Sequence, residues 1–121
     1  MGRIHNRSRG AVLAGGFELA DSVFTRTRGL MFRGGVERPL LFVFNGGRER
    51  ARLSCAIHSL FVFFPFSAIF LDRGKRVVDV RIARPFLSLI IPREDSAYLI
   101  EGGPGLAGKV SVGDGLEFEV R

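Results

Sequence analysis

A chain of 121 residues, 46% hydrophobic and 25% charged, has the size and balance of one globular domain and excludes an intrinsically disordered protein. Its one cysteine, Cys55, excludes an intramolecular disulfide, which makes a reducing cytoplasm the expected compartment. The formal charge is +6, and three of the 18 basic residues, Arg3, Arg7 and Arg9, fall in the first ten positions, leaving 15 basic against 12 acidic groups over residues 11–121.

The first stretch, MGRIHNRSRG, is read as a basic, flexible arm, residues 1–10, ahead of a single globular domain at 11–121. It carries charge without a following apolar segment and small-residue cleavage site, so it does not read as a secretory signal. Asn6 stands where a myristoylation site needs serine or threonine. Such an arm suits phosphates, with an affinity that falls as salt rises; a solvated, frayed terminus is the competing reading.

AVLA at 11–14 is a short strand, closed by Gly15 and Gly16. From Leu19 to Phe32 the apolar residues Leu19, Val23, Leu30 and Met31 recur at helical spacing, with Arg26, Arg28 and Arg33 largely off that stripe, and Gly34-Gly35 ends the helix. LLFVF at 40–44 is a strand, broken by NGG. Arg48, Arg50 and Arg52 then follow at period two, on one face of an extended chain.

Next comes the longest apolar run, SCAIHSLFVFFPFSAIFLDRG at 54–74. A spanning helix needs about 20 apolar residues, and the stretch from Ile57 to Leu71 is shorter and interrupted by His58, Ser59, Pro65 and Ser67, so no membrane segment is expected. Proline breaks a helix and the phenylalanine, valine and isoleucine content favours strands, giving two, at roughly 51–63 and 67–71, kinked at Pro65. In the first, Leu53, Cys55 and Ile57 point one way and Arg52, Ser54, Ala56 and His58 the other. Beyond Leu60 both faces turn apolar, as in a strand passing through the middle of a sandwich.

LDRGKRVVDVRIA forms a hairpin whose turn, Asp72 to Lys75, carries Arg73, Lys75 and Arg76 close by, and whose second strand turns Val78, Val80 and Ile82 inward. SAYLIE at 96–101 and LEFEV at 116–120 are the last strands, Glu117 and Glu119 facing outward. The sum is a mainly β fold, a single-domain β-sandwich or barrel with one or two short helices.

The chemistry-bearing inventory is small. His5, His58 and Cys55 are too few for a zinc pattern, and Cys55 and His58 fall on opposite faces of their strand. EGGPGLAG at 101–108 lacks the lysine and hydroxyl residue of a phosphate-binding P-loop and reads as a turn before a short helix. Ser59 or Cys55 next to His58 does not make a nucleophile and base, because adjacent strand residues diverge. No metal and no cofactor is expected.

The order of these motifs resembles the domain of unknown function 192 family. The resemblance rests on RTRGLMFR at 26–33, LLFVF, FPFSAIFLD with its charged turn and VVDV, then YLIE, a glycine-rich stretch and VGDGLEF, covering the chain from about Phe17 onward. It implies a compact, mainly β domain with a helix bearing the arginine-glycine-leucine-methionine motif, in a family with cytosolic and exported members in bacteria and archaea and no general activity. The carried-over positions are Arg26, Arg28, Gly29, Leu30, Met31 and Arg33, then Asp72, Glu101, Gly113 and Asp114; an Arg28–Glu101 pair would fix helix to sheet. This chain departs from the family where Ile57-His58-Ser59-Leu60 replaces methionine-lysine-asparagine-threonine and where Ser67 replaces the aspartate of proline-leucine-aspartate.

Three functions follow as expectations. The first is a non-enzymatic binding or accessory domain that holds a small ligand or a protein partner on a rim formed by Arg26, Arg28, Met31, Arg33, His58, Ser59 and Glu101. The second is nucleic-acid binding through Arg3, Arg7, Arg9, Arg48, Arg50, Arg52, Arg73, Lys75 and Arg76. The third is a hydrolase using His58 with Ser59 or Asp72, the weakest of the three because no oriented partner for the histidine is evident.

Overall fold

The computed structural model describes residues 2–20, 38–58, 64–85 and 89–120. Their strands, in chain order, are β1 (Ile4–Asn6), β2 (Ala11–Ala14), β3 (Glu18–Ala20), β4 (Leu40–Val43), β5 (Ile57–His58), β6 (Phe66–Leu71), β7 (Val77–Ala83), β8 (Leu89–Ile90), β9 (Tyr98–Gly102) and β10 (Leu116–Glu117). Two 3-10 helices, Arg52–Cys55 and Pro104–Lys109, complete them.

The apolar content of FSAIFL explains the centre of the molecule: β6 is buried at every position and pairs on both sides. Around it lies a five-stranded sheet in the order β3-β4-β9-β6-β7, antiparallel except for the β3–β4 pair. One face carries Leu41, Ile69, Leu71, Tyr98 and Ile100 and is covered by the three-stranded sheet β10-β1-β2 together with the Pro104–Lys109 helix. The other face carries Leu40, Phe42, Ala68, Phe70 and Leu99 and packs against Cys55 and Ile90, next to the small β5–β8 pair. The mainly β sandwich expected from the sequence is the fold observed.

Four local expectations are corrected. Residues 4–6 do not belong to a flexible arm: β1 pairs with both β2 and β10, Ile4 is 0% exposed and Asn6 1%. The partner that orders them, His5 opposite Glu117, lies at the other end of the sequence, where no local signal reports it. The helix expected from Leu19 to Phe32 does not begin there, since Leu19 and Ala20 lie in β3, held parallel to β4 by a ladder that overrides local propensity; residues 21–32 lie outside the described residues.

The strand expected at 51–63 is also different. Arg52–Cys55 is a 3-10 turn with Leu53 66% exposed, Ile57–His58 is a short strand, and residues 59–63 lie outside the described residues. The Asp95 carboxylate accepts the Arg52 backbone N–H at 2.9 Å and the Ala51 carbonyl accepts that of Ser54, so a side chain and a local turn capture the backbone groups a ladder would use. Finally, β7 buries Val77, Val78 and Asp79 while Ile82 is 57% exposed. A bulge between Phe70 and Leu71 shifts the register, and at the far end of this edge strand Ala83, 1% exposed opposite Phe66, takes the core position instead of Ile82.

Candidate functional site

The end of β9 turns sharply through Gly102 and Gly103 into the Pro104–Lys109 helix. A Cβ on Gly102 would come within 2.6 Å of the Leu106 side chain, so glycine there lets the helix fold back on the strand. Ser67, fully buried on β6, holds it down: its hydroxyl donates to the Gly103 carbonyl at 2.7 Å, lies 3.1 Å from the Pro104 carbonyl, and accepts the Ala107 N–H at 2.9 Å. Ser67 is therefore a buried polar anchor for this turn.

That helix forms one wall of a cleft of about 630 Å³, whose other walls are Leu13 to Gly16 at the end of β2 and Arg38-Pro39 before β4. Among the described residues that line it, the charged ones are Arg38 and Lys109. Arg38 lies 3.8 Å from Glu18, both side chains being well exposed. The Lys109 main chain is fixed by Asn6, whose amide donates to the Lys109 carbonyl at 3.1 Å. A Cβ on Gly15, Gly103 or Gly105 would meet no atom within 4 Å, and none of the three has a positive φ.

Of the rim residues expected from sequence, Arg26, Arg28, Met31, Arg33 and Ser59 lie outside the described residues, as does the side chain of His58, whose backbone pairs with Leu89. Glu101 is 5% exposed on the sheet face opposite the Pro104–Lys109 helix, between Leu40 and Ala68 in register. Cys55 is 1% exposed with its thiol 3.4 Å from the Arg50 carbonyl; burial pushes that thiol up, as in an unreactive core cysteine.

The basic residues divide. Arg9 pairs with Asp114 at 3.3 Å, the Arg52 guanidinium donates to the Pro92 carbonyl, Arg76 donates to Gly113, and Lys75 donates to the Phe118 carbonyl at 2.6 Å while sitting 4.7 Å from its ring centroid. Asp72, read as a partner for His58, instead accepts the backbone N–H groups of Gly74 and Arg76 within its own turn. Arg73 pairs with Glu49, which joins the 72–76 turn to the segment bearing Arg48 and Arg50, and all three arginines are exposed. Arg3 and Arg7 are exposed beside β1, and the Arg7 N–H donates to the Gly115 carbonyl.

The cleft escaped the sequence reading although its glycines did not. EGGPGLAG reads from sequence as a turn before a helix, as the structure has it, but only the fold brings Gly15-Gly16 and Gly103 and Gly105 to opposite sides of one cleft. Among the described residues, no three metal-ligating side chains come together, and no helix is long and apolar enough to cross a membrane.

Fold and cleft together define a small β-sandwich domain with an open, glycine-walled groove at one end. The chain belongs to the DUF192 family, described as "Uncharacterized ACR", whose model matches residues 4–120. A UPF0127 protein of Thermococcus gammatolerans is 38% identical over 112 residues, 93% of this chain and 71% of the relative. Another, of Pyrococcus abyssi, is 36% identical over 120 residues, 98% of each chain. A proposed transcription regulator from Sinorhizobium meliloti 1021 matches in structure with a TM-score of 0.75 at 27% identity, covering 95% of this chain and 89% of that one. A protein of unknown function from Novosphingobium aromaticivorans shares the fold, with a TM-score of 0.75 at 24% identity over 96% of this chain and 82% of its own.

Proposed function

We propose that this domain is a non-enzymatic binding module that holds a small ligand in the cleft between the Gly15-Gly16 turn and the Pro104–Lys109 helix. The observation that carries the reading is the cleft itself: about 630 Å³ falls in the range of small-molecule sites, and its walls are strand ends fixed by Ser67 and Asn6. A protein partner would need a broad patch, which an opening of this size does not require.

Native mass spectrometry of the full chain, purified gently from its own cells, tests this against a Gly105→Leu variant whose side chain fills the cleft. A discrete extra mass on the parent chain that the variant loses, with the thermal midpoint unchanged, is the expected result. An extra mass retained by the variant, or a parent chain that stays bare after exposure to a metabolite extract, ends the reading.

A second reading has one observation in its favour. The Glu49–Arg73 contact brings Arg73 to the segment that carries the exposed Arg48 and Arg50, a set of cations that would suit nucleic-acid phosphates, and a structural relative is described as a proposed transcription regulator. Loss of binding in an Arg73→Gln variant separates it from the cleft, which that residue does not line.

A further inference from the structure

Resting on the cleft reading, we infer that the ligand is a small amphipathic oxyanion, a carboxylate or a phosphate ester with an apolar tail. Its head lies between Arg38 and Lys109, and its tail lies on Leu13, Pro39 and Leu106.

The charge argument comes first. Among the described residues that line the cleft, the charged ones, Arg38 and Lys109, are both cationic and come from walls 71 positions apart in the chain, so nothing local in the sequence requires them to meet. The nearby acid, Glu18, pairs with Arg38 at 3.8 Å in an exposed geometry that contributes little, and a guanidinium has five donors to share. The Gly16 and Gly105 main chains line the same space and bring backbone N–H groups to its walls beside the two cations. Cations and amide donors around one space are the recognition chemistry of an oxyanion.

The glycines agree. Gly15, Gly103 and Gly105 have neither a positive φ nor a crowding atom near a Cβ, so the fold itself does not demand glycine there. A ligand that approaches the backbone closely does demand it. The floor is apolar: Leu13 is 5% exposed and Leu106 9%, an arrangement that leaves a hydrocarbon tail better placed than a second charged group.

The test is an amide chemical-shift titration of the full chain with four probes sharing one tail: hexanoate, hexyl phosphate, hexanol and hexylamine. Hexanoate and hexyl phosphate are expected to shift Gly15, Gly16, Gly103 and Gly105 and to bind at least about tenfold more tightly than hexanol, with hexylamine weaker still. The tighter head identifies which oxyanion is the natural one. Arg38→Gln and Lys109→Gln should each weaken both anions by about tenfold, leave hexanol unchanged and spare the fold, while Arg73→Gln changes nothing.

Hexanol binding as tightly as the anions, or anions indifferent to both glutamine variants, overturns the oxyanion while leaving a ligand-binding cleft. Inorganic phosphate matching hexyl phosphate in affinity means an adventitious ion only and overturns the amphipathic ligand. No shift at the four glycines with any probe overturns the inference, and the Gly105→Leu mass measurement then decides separately whether the cleft binds anything.

Discussion

The Asn6 side-chain amide donates to the Asp114 carboxylate at 2.9 Å, tying the first strand of the chain to its last turn. The same carboxylate accepts the Ser111 N–H at 2.9 Å and pairs with Arg9. The Asn6 hydrogen bond and then that of Ser111 hold the Asp114 carboxyl below the ordinary carboxylate value; burial opposes them, and the Arg9 charge adds the smallest lowering effect. A group whose folded pKa is depressed contributes stability above its unfolded value and loses it as pH falls through the folded one. Asp114→Asn should therefore lower the thermal midpoint at neutral pH, with the gap to the parent chain closing as pH drops below about 4. Thermal melts across that range check it, and a gap independent of pH would contradict the linkage.

Ser67 makes a second, independent prediction. Its hydroxyl is fully buried and serves both the Gly103 carbonyl and the Ala107 N–H. Ser67→Ala strands both groups and should cost about 1–3 kcal/mol in urea unfolding. Because the same groups hold the cleft wall, the Ala107 amide should exchange with solvent faster in the variant than amides in β4. Equal protection of both would mean the wall does not depend on Ser67.

Two glycines should respond in opposite ways to the same change. Gly47 sits at φ +91°, and a Cβ there would come within 2.8 Å of the Tyr98 hydroxyl. Gly47→Ala therefore combines left-handed backbone strain with a collision against a buried ring, and should cost about 1–2 kcal/mol or more. Gly103 has φ −58° and open space around a Cβ, so Gly103→Ala should leave stability within about half a kcal/mol. Denaturation midpoints of the pair distinguish a glycine the fold requires from one it does not.

The parts legible in the sequence are those set by short-range pattern. The continuous apolar run of β6 announced a central strand, the Asp72 to Lys75 turn announced its hairpin with β7, and the alternation of Leu116, Glu117, Phe118 and Glu119 is observed as buried and exposed in turn. What escaped depends on partners distant in the chain. Ile4–Asn6 looked like a charged arm because its flanks are arginines, yet its pairing with β10 is what buries Ile4. Arg52–Cys55 looked extended because four residues of alternation cannot be told from a turn until Asp95 is seen to cap it. The cleft escaped for the same reason: its cations lie on separate walls, and only the Ser67 anchor and the β9 turn place them around one space.

The surface around Glu49 separates the two functional readings by charge alone. Glu49 contacts Arg73 through the backbone N–H and the guanidinium and sits between Arg48 and Arg50 in sequence, so it neutralises part of any phosphate-binding field. If nucleic acid binds here, Glu49→Gln should strengthen binding to a labelled duplex and Arg73→Gln should weaken it, lowering the slope of log affinity against log salt by about one. Lys75→Met should leave that slope untouched, because its ammonium already serves the Phe118 carbonyl and ring. Fluorescence polarisation at low and physiological salt makes the measurement. Equal response to all three substitutions would place the contact elsewhere, and no binding at low salt would leave the cleft as the reading to pursue.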